Sequence, residues 1–265
     1  MKPSFSPLDE KTVRSLLPRE RAERVFCYDT VSSTNTVLSA MEDAPAGTCL
    51  VADRQTAGRG RRGRSFVSPA GMGIYLSYLL RPDAPADAGR ITASAAVAAR
   101  RAIRSVCGIE CGIKWVNDLV IGEKKIGGIL AEGTVREGAL SSVIVGIGLN
   151  VAETEADFPA ELRKTAGSLF SETKKSPPRA RLAAALIGEL DRVFAGEDPS
   201  VFSEYETACV TLGREVVVCR GEETYLATAL RLEPDFSLTV RGEDGVLRRV
   251  FSGEASVRGK EGYLS

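Results

Sequence analysis

Short apolar runs in place of alternating ones set the first constraint on this fold. Gly73 to Leu80 (GIYLSYLL), Ile126 to Gly133, Ser142 to Val151, and the shorter Ile113 to Trp115 and Leu119 to Ile121 carry few polar residues. Such strands belong to a covered sheet, because both their faces must leave water. The cover is at hand. Asp87 to Val106 is an Ala-rich helix closed by Gly108, and Arg179 to Phe194 is a second amphipathic helix. Gly47 to Gln55 reads as a further strand, and Ser32-Ser33-Thr34-Asn35 precedes an apolar-periodic stretch to Met41, so one of these hydroxyl residues should cap a helix. From Val25 to about Phe202 helices and strands alternate. After Leu212 the texture changes to Glu215 to Cys219, Thr224 to Leu232, Ser237 to Arg241 and Val246 to Phe251, β-rich segments separated by Gly-Glu, Pro-Asp and Glu-Asp-Gly turns. The reading is an α+β protein in three parts: residues 1–24 as a short polar extension, 25–210 as the main domain and 211–265 as a small β module.

Charge and composition narrow the chemistry. The 265 residues hold 35 Lys and Arg against 35 Asp and Glu, so no bulk positive field exists to hold nucleic acid or an anionic membrane. Histidine is absent, which removes Ser-His-Asp triads, Cys-His dyads and zinc sites that need imidazole. The six cysteines are spread without any C-x-x-C spacing; Cys107 and Cys111 alone could be half a metal site, and packed thiols are the simpler reading. No secretory leader precedes them and no apolar run nears the roughly 18 residues of a membrane span, so a cytoplasmic protein with reduced thiols and no membrane partner is expected.

Against that neutral background, Gly58-Arg59-Gly60-Arg61-Arg62-Gly63-Arg64 places four positive charges within six residues, between two strand candidates. Interleaved glycines let backbone approach a ligand, and guanidinium groups fork onto carboxylate and phosphate oxygens. The loop is built to order around a small polyanion. The alternative, an RGG-type contact to nucleic acid, is at home in low-complexity tails and not between core strands. A second group, Lys114-Trp115-Val116-Asn117-Asp118, is followed by Lys124-Lys125-Ile126-Gly127-Gly128-Ile129-Leu130. A hairpin-like connection would gather Lys114, Asn117, Asp118 and Lys125: a lysine for phosphate, an Asn/Asp pair able to ligate Mg²⁺, and glycines along which a ligand can lie. Gly146-Ile147-Gly148-Leu149-Asn150 is too short for a dinucleotide fingerprint and, Asn150 apart, reads as a buried strand.

In order and spacing, Ser32 to Asn35, Gln55 to Arg64, Lys114 to Leu119, Lys125 to Leu130 and Gly146 to Asn150 resemble the motifs of the biotin protein ligase family, and the likeness runs from about Val25 to the C-terminus. The resemblance implies a mixed β-sheet catalytic domain with flanking helices, of the class II synthetase-like type, followed by an SH3-like β-barrel. It implies ATP and biotin as substrates with Mg²⁺, and transfer of biotin to a lysine of a biotin carboxyl carrier protein or domain. By motif position, Ser33, Thr34, Asn35 and Gly128 would contact biotin, with Gln55 on its carboxylate side. Arg59, Gly60 and Arg61 would lie in a closing loop, with Arg62 and Arg64 toward ATP. Lys125 would meet both the biotin carboxylate and the α-phosphate, and Asn150 would lie near adenine. Lys114, Asn117 and Asp118 would serve phosphate, Mg²⁺ and the incoming lysine, leaving Lys125, Arg61 and Asp118 as the catalytic group.

Two positions depart from the family pattern, Val116 where proline is common and Phe66 where tryptophan is, and altered packing is the expected consequence. Family members that also repress transcription carry a helix-turn-helix domain; residues before Val25 are too few for one, so neither DNA binding nor repression is expected. A lipoate ligase or octanoyl transferase is the nearest alternative, and no cysteine in the arginine loop or the Lys114 segment offers a thiol intermediate. A free sheet edge offers a route to a homodimer.

Overall fold

Why one face of a sheet is covered and part of the other left open is the question that this fold answers. The computed structural model describes residues 8–82, 87–136, 139–175, 178–196, 198–251 and 255–259. In chain order these form α1 (Glu10–Ser15), α2 (Arg19–Ala22), β1 (Val25–Val31), α3 (Thr34–Ser39), β2 (Cys49–Gln55), β3 (Gly73–Leu80) and α4 (Ala88–Cys107). Then come β4 (Gly112–Lys114), β5 (Asp118–Ile121), β6 (Lys124–Arg136), β7 (Ala139–Asn150), α5 (Leu169–Thr173), α6 (Arg179–Phe194) and α7 (Ser200–Ala208). The last segment holds β8 (Glu215–Arg220), β9 (Glu223–Leu232), β10 (Leu238–Gly242), β11 (Leu247–Val250) and β12 (Ala255–Gly259).

The first sheet has seven strands in the order β1-β2-β3-β7-β6-β5-β4; β1 and β2 are parallel and the other pairs antiparallel, so the sheet is mixed. Ile74, Leu76, Val145, Ile147 and Leu149 share one core with the buried alanines of α4 and with Leu182, Leu186 and Leu190 of α6. Helices therefore cover one face completely. On the other face, residues two apart on β7 are Ile144, Gly146, Gly148 and Asn150, and only Ile144 joins an apolar cluster, with Leu38 of α3, Leu50 and Leu79. The short α3 covers that end alone. The second sheet is antiparallel, ordered β11-β10-β9-β8-β12.

Helix α4 begins where its sequence directs: Asp87 accepts from the N–H of Gly89 at 2.7 Å, and Gly108 ends the helix with φ 60°. Ser33 occupies the cap position of α3, in extended backbone, but its side chain makes no capping bond, and the helix stops at Ser39 instead of Met41. The six cysteines are free thiols, and no group of three or more His, Cys, Asp or Glu able to hold a metal occurs among the described residues. No helix among them is long and apolar enough to cross a membrane.

Helix α7, absent from the sequence reading, is fastened through Arg101 of α4. That guanidinium, 4% exposed, meets Asp198 at 2.8 Å, Glu204 at 2.7 Å and the Ser200 hydroxyl at 2.6 Å. Hydrogen bonds from Arg101 hold Asp198 down at about 2. Because the folded value lies below the unfolded one, this stabilisation is present above the ordinary carboxylate range and is lost as pH falls through about 2. Arg101→Ala should cost about 3 kcal/mol or more, by stranding carboxylates that the guanidinium now pairs. Urea denaturation at pH 7 and pH 3 should show the gap between variant and parent shrinking at the lower pH.

Candidate functional site

The open face of the first sheet is a slot with a polar end. Thr34 donates its N–H and its hydroxyl to Gln55 Oε1 at 2.9 and 3.1 Å. Ser77 of β3 bonds Thr34 Oγ1 at 2.7 Å and Asn35 Oδ1 at 2.5 Å, and Asn35 Nδ2 donates to Glu132 of β6 at 2.7 Å. Ser33, 2% exposed, stands at the same end with its hydroxyl not committed to the helix. The floor is glycine. A Cβ at Gly146 would collide with the Asn35 amide, and one at Gly148 would come within 2.6 Å of the Phe66 ring. Ser33, Thr34, Asn35, Gln55, Phe66, Gly146 and Gly148 line a narrow cavity of about 50 Å³, with Gly128, Ile129 and Leu130 on its β6 side.

The arginine loop folds over this slot. Arg59 and Ser65 form a β-bridge, Gly60 N–H donates to the Arg64 carbonyl at 2.6 Å, and Arg61–Gly63 make a 3₁₀ turn in which Arg62 has φ 56°. Two of the arginines point at acceptors in the body of the protein. Arg59 pairs with Glu132 at 2.9 Å, and Arg61 Nη1 donates to Asn117 Oδ1 at 3.0 Å. Burial draws the Arg61 guanidinium below its ordinary value while Asp118 opposes that shift.

A second, wider cavity of about 510 Å³ lies beyond the loop, lined by Arg62, Arg64, Lys114, Trp115, Asp118 and Asn150 among others. The β4–β5 hairpin pairs Lys114 with Asp118 directly, and a bulge between Leu119 and Val120 brings Lys125 of β6 alongside, Nζ to Asp118 Oδ1 at 2.6 Å. The Trp115–Val116 peptide in this hairpin is cis. Asn150 Nδ2 donates to the Gly167 carbonyl at 2.9 Å, which fixes the far wall. Gly60, Arg61, Phe66, Asn117 and Lys125 line both cavities, so the two adjoin where the cations stand.

Every site residue expected from the sequence lines one cavity or the other: Ser33, Thr34, Asn35, Gln55, Arg59 and Gly128 the slot, Arg62, Arg64, Lys114, Asp118 and Asn150 the wide cavity. Gln55, expected on a carboxylate side, accepts from Thr34 in the hydroxyl cluster. Lys124 turns away and donates to the Arg163 carbonyl. Sequence reasoning missed Ser77, Glu132 and the floor glycines Gly146 and Gly148, together with Phe158, Leu162 and Thr165 on the wall of the wide cavity. A signal existed for the glycines alone: two of them, two residues apart in a strand, remove side chains from one face.

Comparison with known proteins places these features. The sequence profile of the biotin/lipoate A/B protein ligase family matches residues 27–150. The bifunctional ligase/repressor BirA of Bacillus spizizenii is 32% identical over 255 residues, covering 93% of this chain and 78% of that protein. The biotin–[acetyl-CoA-carboxylase] ligase of Mycobacterium tuberculosis is 32% identical over 225 residues, 80% of this chain and 81% of that one. Among solved structures, the biotin protein ligase of Aquifex aeolicus in complex with biotin and ATP superposes with a TM-score of 0.79 at 29% identity, covering 89% of this chain and 99% of its own.

Just past Asn150 lies a buried acid. Glu153 is 0% exposed, accepts from the Ala152 N–H at 3.1 Å, and leaves Oε1 without a hydrogen-bond partner. Burial pushes its carboxyl up to about 7. The folded value here is above the unfolded one, so its contribution is complete below the ordinary glutamate range and lost as pH rises through about 7. Glu153→Gln should therefore gain stability relative to the parent between pH 5 and pH 8, measured by urea denaturation at both; a constant difference would refute the assignment.

Proposed function

Since this chain belongs to the biotin protein ligase family, we propose that it activates biotin with ATP to biotinyl-adenylate and then transfers the biotinyl group to a lysine of a biotin carboxyl carrier protein or domain. One observation carries the reading. A narrow slot and a wide cavity meet at Lys125 and Arg61, which is what joining a carboxylate to an α-phosphate requires. The closed end of the slot supports biotin over lipoate or octanoate. Ser33, Thr34, Asn35, Gln55 and Ser77 gather donors and acceptors there. A ureido ring, with N–H groups flanking a carbonyl, can exchange hydrogen bonds with this cluster, whereas an alkyl or dithiolane end offers none in return for entering it.

In the first step a biotin carboxylate oxygen forms a bond to the α-phosphorus, and the bond from that phosphorus to the pyrophosphate oxygen breaks. The carboxylate is already ionised, so no base is needed. Lys125 and Arg61 hold the two anions together, and Arg62, Arg64 and Lys114 bear on the phosphates. Asp118 and Asn117 would hold a Mg²⁺ carried by the nucleotide, with a carboxylate and an amide oxygen that exchange their contacts to Lys125 and Arg61, and the ion would neutralise phosphate charge. In the second step the carrier's lysine nitrogen attacks the acyl carbon, AMP leaves, and Asp118 orients the amine and takes its proton. The arginine loop, latched by Arg59 to Glu132 and by Arg61 to Asn117, keeps water from the mixed anhydride between the steps.

Residues 211–265 fit an SH3-like module, which the five antiparallel strands support. The segment before Val25 fits the body of the ligase better than a DNA-reading head: Arg14 donates to the Val25 carbonyl at 2.9 Å and Arg21 pairs with Asp191 of α6 at 2.6 Å. The inward bonds of Arg59 and Arg61 likewise favour a small anion over a nucleic acid backbone.

With ATP and Mg²⁺, pyrophosphate release should depend on biotin and not on lipoate or octanoate run in parallel; release with either acid in place of biotin would keep the fold and overturn the substrate. Asp118→Asn should slow transfer to a carrier domain by about 100-fold or more. Adenylate formation should fall too, through the contact of Asp118 with Lys125, but by less, and single-turnover assays of the two half-reactions separate them. Equal loss in both would remove the transfer role.

A further inference from the structure

The hairpin that presents Lys114, Asn117 and Asp118 is short: β4 has three residues and β5 four. Strand β6 holds one side of it, through Ile129 N–H to the Asn117 carbonyl at 2.8 Å and the Asp118–Gly128 pairing, and the remaining bonds come from far along the chain. Trp115 N–H donates to Thr211 Oγ1 at 2.9 Å, Trp115 Nε1–H to the Phe236 carbonyl at 2.9 Å, and the Tyr205 hydroxyl to the Val116 carbonyl at 3.0 Å, all of them buried. Val210 N–H adds a bond to the Ile113 carbonyl at 3.0 Å. The Tyr205 ring, 0% exposed, stands edge-on to Phe236 with centroids 5.4 Å apart, and Phe202 approaches the same ring at 5.5 Å. Phe236 sits in the β9–β10 turn with φ 60° and 2% exposure. A turn of the second sheet is thus wedged under the hairpin, and α7, fastened by Arg101, closes it from the side.

We propose that Tyr205 and Phe236 are positioning residues for adenylate formation: through Trp115 and Val116 they set where Lys114, Asn117 and Asp118 stand in the nucleotide cavity. The kinetic part of this inference rests on the ligase reading. Side chains aimed at phosphate must be held to within a fraction of an ångström, since a misplacement of about 1 Å can cost a factor of about 100. None of these bracing bonds reaches the slot, whose polar end is built from α3, β2, β3 and β7. The brace should therefore act first on the nucleotide and the chemical step, and reach biotin recognition only through Asn117, which lines both cavities.

Two variants test it. Tyr205→Phe removes one oxygen and keeps the ring on Phe236; Phe236→Gly removes the ring at a position whose φ of 60° glycine accepts. Both should lower kcat for adenylate formation about tenfold or more, from an orphaned or shifted Val116 carbonyl, and raise KM for ATP. KM for biotin should hold within about twofold. Trp115 is the chain's one tryptophan, so Phe236→Gly should also shift its emission to longer wavelength and speed hydrogen exchange over residues 112–121. Unchanged kcat in both variants overturns the proposal, as does a parallel change in biotin and ATP kinetics that follows only a lowered Tm. If the parent protein forms no adenylate from biotin, the ligase reading fails, and the brace is judged by emission and exchange: no change in Phe236→Gly sinks it.

Discussion

Lys125 and Asp118, 2.6 Å apart where slot and cavity meet, form the contact on which the rest of the site depends. A chain of zero net charge that must gather two anions has to concentrate cations locally, and concentrated cations repel one another unless each is given an acceptor. Here the acceptors are part of the design. Lys125 has Asp118, Arg59 has Glu132, and Arg61 has the Asn117 amide oxygen. A ligand must exchange with these partners, so a lone anion gains little by entering. In the proposed reaction, two anions presented together, one from the slot and one from the cavity, replace several of those contacts at once.

That exchange needs the ligand to lie against the sheet, and the asymmetry of the fold provides the surface. One face is sealed by α4 and α6; the other loses its side chains at Gly146 and Gly148 where α3 gives out. Phe66 then rests across Gly148 and meets Tyr75 edge-on at 6.4 Å, making a partition between the two cavities. The missing side chain at Gly148 lets the phenylalanine ring come down onto the strand.

The legible part of this molecule was its local part. The helix from Ala88 to Cys107 declared itself through the Asp87 cap, its alanine face and Gly108, and β3 through its apolar run. The loop from Gly58 to Arg64 was legible because its composition has no structural use in a core. What the sequence hid is long-range. Glu132 reads as an ordinary charge near a strand end, yet it serves both Asn35 and Arg59 across the sheet. Strand β1 was passed over because its middle is half-exposed or exposed, a pattern that edge strands share with loops. Ser33 misled in the other direction: hydroxyl residues before a helix suggest capping, whereas here the Thr34 N–H takes Gln55 as its acceptor.

On the proposed function, recognition and catalysis rest largely on separate supports, with Asn117 of the hairpin shared by the two cavities. Every residue of the slot lies between Ser33 and Gly148, inside the segment matched by the biotin/lipoate family profile, while the bonds that brace the Lys114–Asp118 hairpin come from Tyr205, Val210, Thr211 and Phe236, outside it. A slot set in a seven-stranded sheet is stiff, and it suits a ligand that must be told from close analogues. A hairpin held at a distance by buried hydrogen bonds can be tuned by its brace without disturbing that recognition. The second sheet packs against the hairpin and not against the slot, which suits the proposed reaction: charge would move on the nucleotide side, where a fixed geometry contributes most to rate.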